Sequence, residues 1–134
     1  MIPTNNTLLT TEIEIVRQPT KTYKMDFEKK VIVGFCDEID AMKQAIVKAL
    51  DTERYDEIIY SWDYGTEMKT VYGIGRMQAC SRIQDVITDA LIQDDRIRRV
   101  TNFNFSLENK NELHISFTVE TIFGDVNVER RVVV

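Results

Sequence analysis

Histidine, cysteine, proline and tryptophan are scarce in this chain, and the scarcity closes several classes of function. The 134 residues contain one His, two Cys, two Pro and one Trp. Cys36 and Cys80 are too few for a disulfide framework and lack Cys or His neighbours at zinc-ligand spacing, so free thiols and no metal are expected. The lone His114 has no Ser or Cys in a nucleophile motif to accompany it, and reads as a histidine on the polar face of a strand. No apolar run approaches membrane-spanning length. Residues 1–18 also lack the basic, apolar and small-residue order of a secretion signal, so a cytosolic protein with no membrane partner is expected. Positive charge is the minority too. Seventeen basic residues against 22 acidic ones leave a net charge of −5, which opposes a phosphate backbone and argues against nucleic acid as a partner. The one basic cluster, Arg96, Arg98 and Arg99, directly follows Asp94 and Asp95, which cancel most of its field, so it reads as a protein contact patch.

What is present is ordinary for a folded domain. An apolar fraction of 43% and a charged fraction of 29% suit one hydrophobic core, and a chain this long buries roughly two-thirds of its unfolded surface. Residues 1–18 hold Thr, Asn and Pro3 without sustained periodicity and read as an N-terminal arm, leaving 19–134 as a single domain. Tyr23, Met25 and Phe27 alternate with Lys24 and Asp26, which predicts a strand with one buried face. A turn at Glu28 to Lys30 returns Val31 to Phe35 as its hairpin partner. Asp37 is placed to cap a helix whose inner stripe is Ile39, Met42, Ile46 and Leu50, ending near Asp51.

Beyond it a short strand is predicted over Glu57 to Trp62, followed by a loop at Asp63, Tyr64 and Gly65. A second helix is predicted from Arg76 to Ile92, with Met77, Cys80, Ile83, Ile87 and Leu91 inward. Phe103, Phe105 and Leu107 then alternate with polar residues up to a turn at Glu108 to Asn111. Leu113, Ile115, Phe117 and Val119 give the clearest period-two pattern in the chain, and Gly124-Asp125 bends it toward a last strand over Val126 to Val134. The predicted class is α+β: an N-terminal hairpin, then two main helices packed on a mostly antiparallel sheet that ends in a C-terminal β-meander.

Candidate chemistry is thin. Glu53, Glu57, Asp63 and Glu67 could supply the paired carboxylates of a glycan hydrolase, but with 22 acids in the chain a solvated surface acid is the ordinary reading of each. Gly73-Ile74-Gly75 precedes a helix as a phosphate cradle would, yet Gln78 stands where the third glycine of that fingerprint belongs. Tyr55, Tyr60, Trp62, Tyr64 and Tyr72 read as core and interface anchors in preference to a ligand-stacking surface. No catalytic centre, cofactor or metal site is expected.

Several segments, in order, carry a resemblance. They are Pro19-Thr20-Lys21-Thr22-Tyr23, Leu50-Asp51-Thr52-Glu53-Arg54-Tyr55, Ile59-Tyr60-Ser61-Trp62-Asp63-Tyr64-Gly65, Ala90 to Ile97, Val100 to Phe105, and Phe117 to Gly124. Together they resemble the small baseplate wedge protein of contractile tails, in the branch of Gram-positive phages, defective prophages and tail-like bacteriocins. The resemblance implies a structural protein, some of whose relatives carry an old lysozyme-like label. It would be assembled in the host cytoplasm and present in multiple copies per particle. Its implied partners are other baseplate wedge proteins and the tail sheath protein, whose first ring it helps to lay.

Residue by residue, Arg54 matches the arginine after the first helix, and Tyr64-Gly65 the aromatic-glycine pair of the next loop. A Glu-Pro-Arg triplet after the second helix is replaced here by Asp94-Asp95-Arg96, so the arginine stands, the acid is shorter and the proline is gone. These six residues are the candidates for the wedge contact or for a brace at the helix end, where Arg96 suits a bidentate pair with a carboxylate.

The last strand offers a second candidate surface. Val126, Val128, Arg130, Val132 and Val134 would form a free edge to which an extended sheath arm adds, with Glu129, Arg130 and Arg131 guarding it against promiscuous pairing. A small glycan hydrolase and an unrelated cytosolic adaptor are the rival readings.

Overall fold

The computed structural model describes residues 19–133. The expected arm over 1–18 and the candidate edge residue Val134 lie outside the described residues. The elements run β1 (Thr22–Asp26), β2 (Val31–Cys36), α1 (Glu38–Asp51), a short 3-10 turn at Met68–Thr70, α2 (Arg76–Ile92), β3 (Ile97–Leu107), β4 (Glu112–Thr121) and β5 (Gly124–Val133). This is the α+β arrangement read from the sequence, with the strands in two separate sheets: an antiparallel β1–β2 hairpin and an antiparallel β3–β4–β5 meander.

The meander supplies the floor of the core. Along β4, Leu113, Ile115, Phe117 and Val119 are buried in strict alternation, as a half-buried strand requires. Val126 and Val132 of β5 and Ile97 of β3 join them. Phe103 stacks on Phe117 with ring centroids 5.3 Å apart. Two helical stripes cover this face: Met42, Ile46 and Leu50 of α1, and Ala79, Ile83, Ile87 and Leu91 of α2. Asp37 starts α1 as expected, accepting a hydrogen bond from the Glu38 amide at 2.8 Å.

The hairpin reaches the core through one buried polar residue. Gln44 of α1 faces β1, where its Nε2 donates to the Tyr23 carbonyl at 2.8 Å and its Oε1 accepts from the Met25 amide at 2.9 Å. The β1–β2 register shifts between Tyr23 and Met25, so the side-chain amide serves backbone groups at an irregular point in the ladder. Asp26 folds the turn, its Oδ1 accepting from the Glu28 and Lys29 amides at 3.1 Å each.

Several local expectations are corrected. The hairpin's apolar residues are mostly uncovered: Tyr23, Val33 and Phe35 are exposed, Ile32 is 65% exposed and Phe27 falls in the turn, while Met25 is half-buried and Cys36 is buried. Met25 and Cys36 meet α1, beside Gln44 and Val47. Glu57 to Trp62 is not a strand, because among the described residues no strand lies beside it and its backbone closes local turns such as Tyr60 N to Glu57 O at 3.4 Å. Met77 is not inward but 90% exposed. Two residues before Ala79, it sits about 200° around the helix from the true stripe. Of the clustered aromatics, Tyr55, Tyr60, Trp62 and Tyr72 are exposed and form surface, while Tyr64 is half-buried and packs against the core. The last turn is Ile122-Phe123, and Gly124 already belongs to β5.

Candidate functional site

After α1 the chain leaves the helix at Thr52, whose hydroxyl returns to the Lys48 carbonyl at 2.8 Å. Glu53 then forms a parallel bridge with Thr66. The Arg54 amide donates to the Thr66 carbonyl at 2.8 Å, and the Thr66 amide to the Thr52 carbonyl at 2.9 Å. Such an approach needs Gly65. Its φ is +95°, and a Cβ there would stand 2.6 Å from the Thr52 carbonyl oxygen and 3.2 Å from the Arg54 nitrogen. The arginine and the aromatic-glycine pair, eleven residues apart in sequence, therefore form one junction.

The Arg54 side chain crosses from that junction to α2, where Nη1 donates to Asp89 Oδ2 at 2.8 Å. Only 9% of this side chain is exposed, while its Nε and Nη2 find no hydrogen-bond partner among the described residues. Burial pulls its pKa down, but the hydrogen bond and charge of Asp89 outweigh that and hold it above the ordinary arginine value. Arg54 is thus a charged strut between the loop and α2. Asp89 could not be identified from spacing, since it lies 35 residues away.

Asp94 and Arg96 close the far end of α2. Arg96 grips Asp94 with both ends of its guanidinium, Nε to Oδ1 at 2.9 Å and Nη2 to Oδ2 at 2.7 Å, while the Arg96 amide donates to Oδ1 at 3.0 Å. Burial raises the Asp94 pKa, yet the Arg96 hydrogen bonds and charge prevail and hold the carboxyl below its ordinary range. The backbone continues the brace, with Ile97 N donating to Asp94 O at 3.1 Å and Ile122 N to Arg96 O at 3.0 Å. Asp95 is left exposed.

Tyr64 connects the two groups. Its ring stacks on Tyr60 at 4.4 Å, and burial raises its pKa, with further upward pushes from Tyr60 and from the Asp94 charge. Tyr64, Asp94, Asp95 and Arg96 line one groove of about 470 Å³, together with Lys48 and Gln93 from the ends of α1 and α2. Arg54 and Gly65 hold the loop that forms its wall.

The meander has two outer edges, on β3 and on β5. The β3 ladder is interrupted between Ile97 and Arg99 and again between Thr101 and Asn104, around Asn102 with its φ of +57°. By contrast, β5 pairs with β4 without a slip from Gly124 to Val133. The side chains of Val126 and Val132 are buried, and Val128 and Arg130 are half-buried. These candidate edge residues therefore turn inward and could offer a partner only their backbone. Arg130 is pinned to Asp51 at 2.6 Å. Asp125, Asn127, Glu129 and Arg131 carry the exposed face.

Of the acids weighed for hydrolysis, Glu53 and Glu57 border one open hollow, while Asp63 and Glu67 lie outside it. Glu53 accepts from the Lys69 amide at 3.1 Å, Asp63 from the Ser61 hydroxyl at 2.6 Å, and Glu67 lies 3.9 Å from Arg82. Glu57 is exposed in the loop, and His114 is 3.7 Å from Glu129 on the meander. Gly75 is a turn that opens α2 with no side-chain cap.

Comparison with known proteins places the chain in a family. Residues 20–124 match the family described as contractile injection system sheath initiator. The chain is also similar to the phage-like element PBSX protein XkdS of Bacillus subtilis (strain 168), at 34% identity over 122 residues that cover 88% of this chain and 85% of that protein. The chain belongs to the contractile injection system sheath initiators, and its role is structural, in starting the sheath of a contractile tail.

Proposed function

We propose that this chain is a baseplate wedge component that joins the wedge core to the first ring of sheath, and that the outer edge of β5 receives an extended arm of a sheath subunit. One observation carries the reading: β5 is a ten-residue strand in unbroken register at the rim of the meander, with no strand on its far side among the described residues. Such an edge presents backbone donors and acceptors at a regular spacing, which is what an added strand requires. The rival edge, β3, is bent by two register shifts and is the poorer template.

In this reading the groove around Tyr64 and Asp95 meets the wedge, while Arg54, Gly65, Asp94 and Arg96 fix its walls. Multiple copies act per particle, each with one sheath-facing edge. Assembly works through rigid surfaces, so the two arginine braces serve to keep the edge and the groove at a fixed relation.

The test is amide hydrogen exchange of the full chain with and without purified sheath protein. Alternate amides of β5 should gain protection on sheath addition while those of β3 stay unchanged. Protection gained on β3, or on neither edge while sheath still assembles, would refute the β5 assignment.

A further inference from the structure

Two surfaces stand apart from the sheath edge, the second of them on the loop that also walls the groove, and they are opposites. The hairpin exposes Tyr23, Ile32, Val33 and Phe35, a cluster that neither helix nor meander covers. Its charges are mostly positive: Lys21, Lys24, Lys29 and Lys30 against Asp26 and Glu28. Lys21 lies over the Phe35 ring at 5.0 Å, and Phe35 stacks on Tyr23 at 5.1 Å, so the cations and aromatics form one patch.

The loop between α1 and the 3-10 turn exposes Tyr55, Ile58, Ile59 and Trp62, with Ile58 wholly outside and Trp62 77% exposed. Its charges are mostly negative: Glu53, Asp56, Glu57 and Asp63. Lys69 answers Asp56 at 2.8 Å, and Arg54 is turned inward to Asp89, so neither offsets Glu57 or Asp63. A hollow of about 410 Å³ between Asp51, Glu53, Glu57, Ile59 and Tyr60 gives this patch relief.

Exposed apolar clusters of this kind mark contact surfaces. The hairpin packs along α1 around Asp40, Lys43, Gln44 and Val47, whereas the loop leaves from the helix's other end. Each patch supplies the charge that the other lacks, and neither complements itself. We propose that the two patches fit each other between copies: the basic-aromatic hairpin of one copy of this chain docks on the acidic-aromatic loop of the next. Because different surfaces meet, the contact is heterologous, and repetition gives a ring if the rotation closes or a filament if it does not. The β5 edge takes no part, so the inference stands independently of the sheath reading.

The experiment is sedimentation velocity on the full chain, at concentrations up to about 1 mM and at low and high salt. Self-association that weakens with salt is expected. Two variants dissect it, each altering only exposed positions: Tyr23→Ser with Ile32→Ser on the hairpin, and Ile59→Ser with Trp62→Ser on the loop. Each should weaken association by about tenfold or more. Mixed together they should form one-to-one dimers that grow no further, because each variant retains one intact surface. Circular dichroism and urea unfolding of each variant check that the fold is kept. A chain that stays monomeric throughout overturns the proposal. Association indifferent to the loop variant, or a mixture that forms no dimer, overturns it equally.

Discussion

The two sheets begin from the same sequence signal and end in opposite situations. Tyr23, Met25 and Phe27 alternate with polar residues just as Leu113, Ile115, Phe117 and Val119 do. Only the second set is buried, because two helical stripes lie across the meander while the hairpin meets only one side of α1. Alternation therefore reports that a strand has an apolar side; what covers that side is decided by the rest of the chain.

The sharpest way to test that contrast is to empty a site in each sheet. Phe117→Ala removes a ring that stacks on Phe103 beneath the helices, and should destabilise the protein by about 3–5 kcal/mol in urea unfolding. Next in size is the link between the sheets. Gln44→Leu takes both hydrogen bonds from the β1 backbone and should cost about 1–3 kcal/mol. Amide exchange should then speed up in β1 and β2 and leave β4 unaffected. Were β4 to loosen equally, the hairpin would be part of the same cooperative unit.

Acid should distinguish the sheets as well. Arg96 keeps Asp94 below its unfolded pKa, so the native state gives up that proton at lower pH than the unfolded chain. The resulting stability is fully present above the ordinary carboxylate range and is lost as pH falls through the depressed native value. Asp94→Asn should lower stability at neutral pH by about 1 kcal/mol and flatten the acid limb of the stability profile. The smallest effect belongs to the hairpin's outer surface: Ile32→Ser should change unfolding stability by no more than about 0.5 kcal/mol, since that side chain is already 65% exposed. A large loss there would mean that something outside the described residues covers the hairpin.

Much of the fold was legible from local rules. Asp37 and the stripe Met42, Ile46 and Leu50 located α1, and the bounds expected for α2, Arg76 to Ile92, are those observed. Errors arose where local pattern had nothing to pack against. Ile58 and Ile59 looked like strand residues, yet among the described residues no strand lies beside them and the segment turns on itself. Met77 fitted a loose helical spacing, but the buried stripe is set by where the meander lies, and it passes through Ala79 and Ala90 instead.

The candidate site divides in the same way. Arg54, Tyr64, Gly65 and the Asp94-Asp95-Arg96 triplet were identifiable as a set from resemblance, and Arg96 as a residue suited to a bidentate carboxylate pair. Which carboxylate it takes, Asp94 two residues earlier, depends on how the end of α2 turns into β3. Asp89 as partner of Arg54 and Gln44 as the tie to the hairpin had no sequence signal at all.

By itself, then, the sequence determined the two helices, the hairpin and the meander, and the order in which they come. These follow from capping, periodicity and turn chemistry, which act over a few residues. Only the tertiary structure decided which apolar faces are covered, which edge of the meander is unbroken, and which charges are paired. Those depend on residues tens of positions apart meeting in space, where burial and hydrogen-bond geometry are fixed by the whole chain at once.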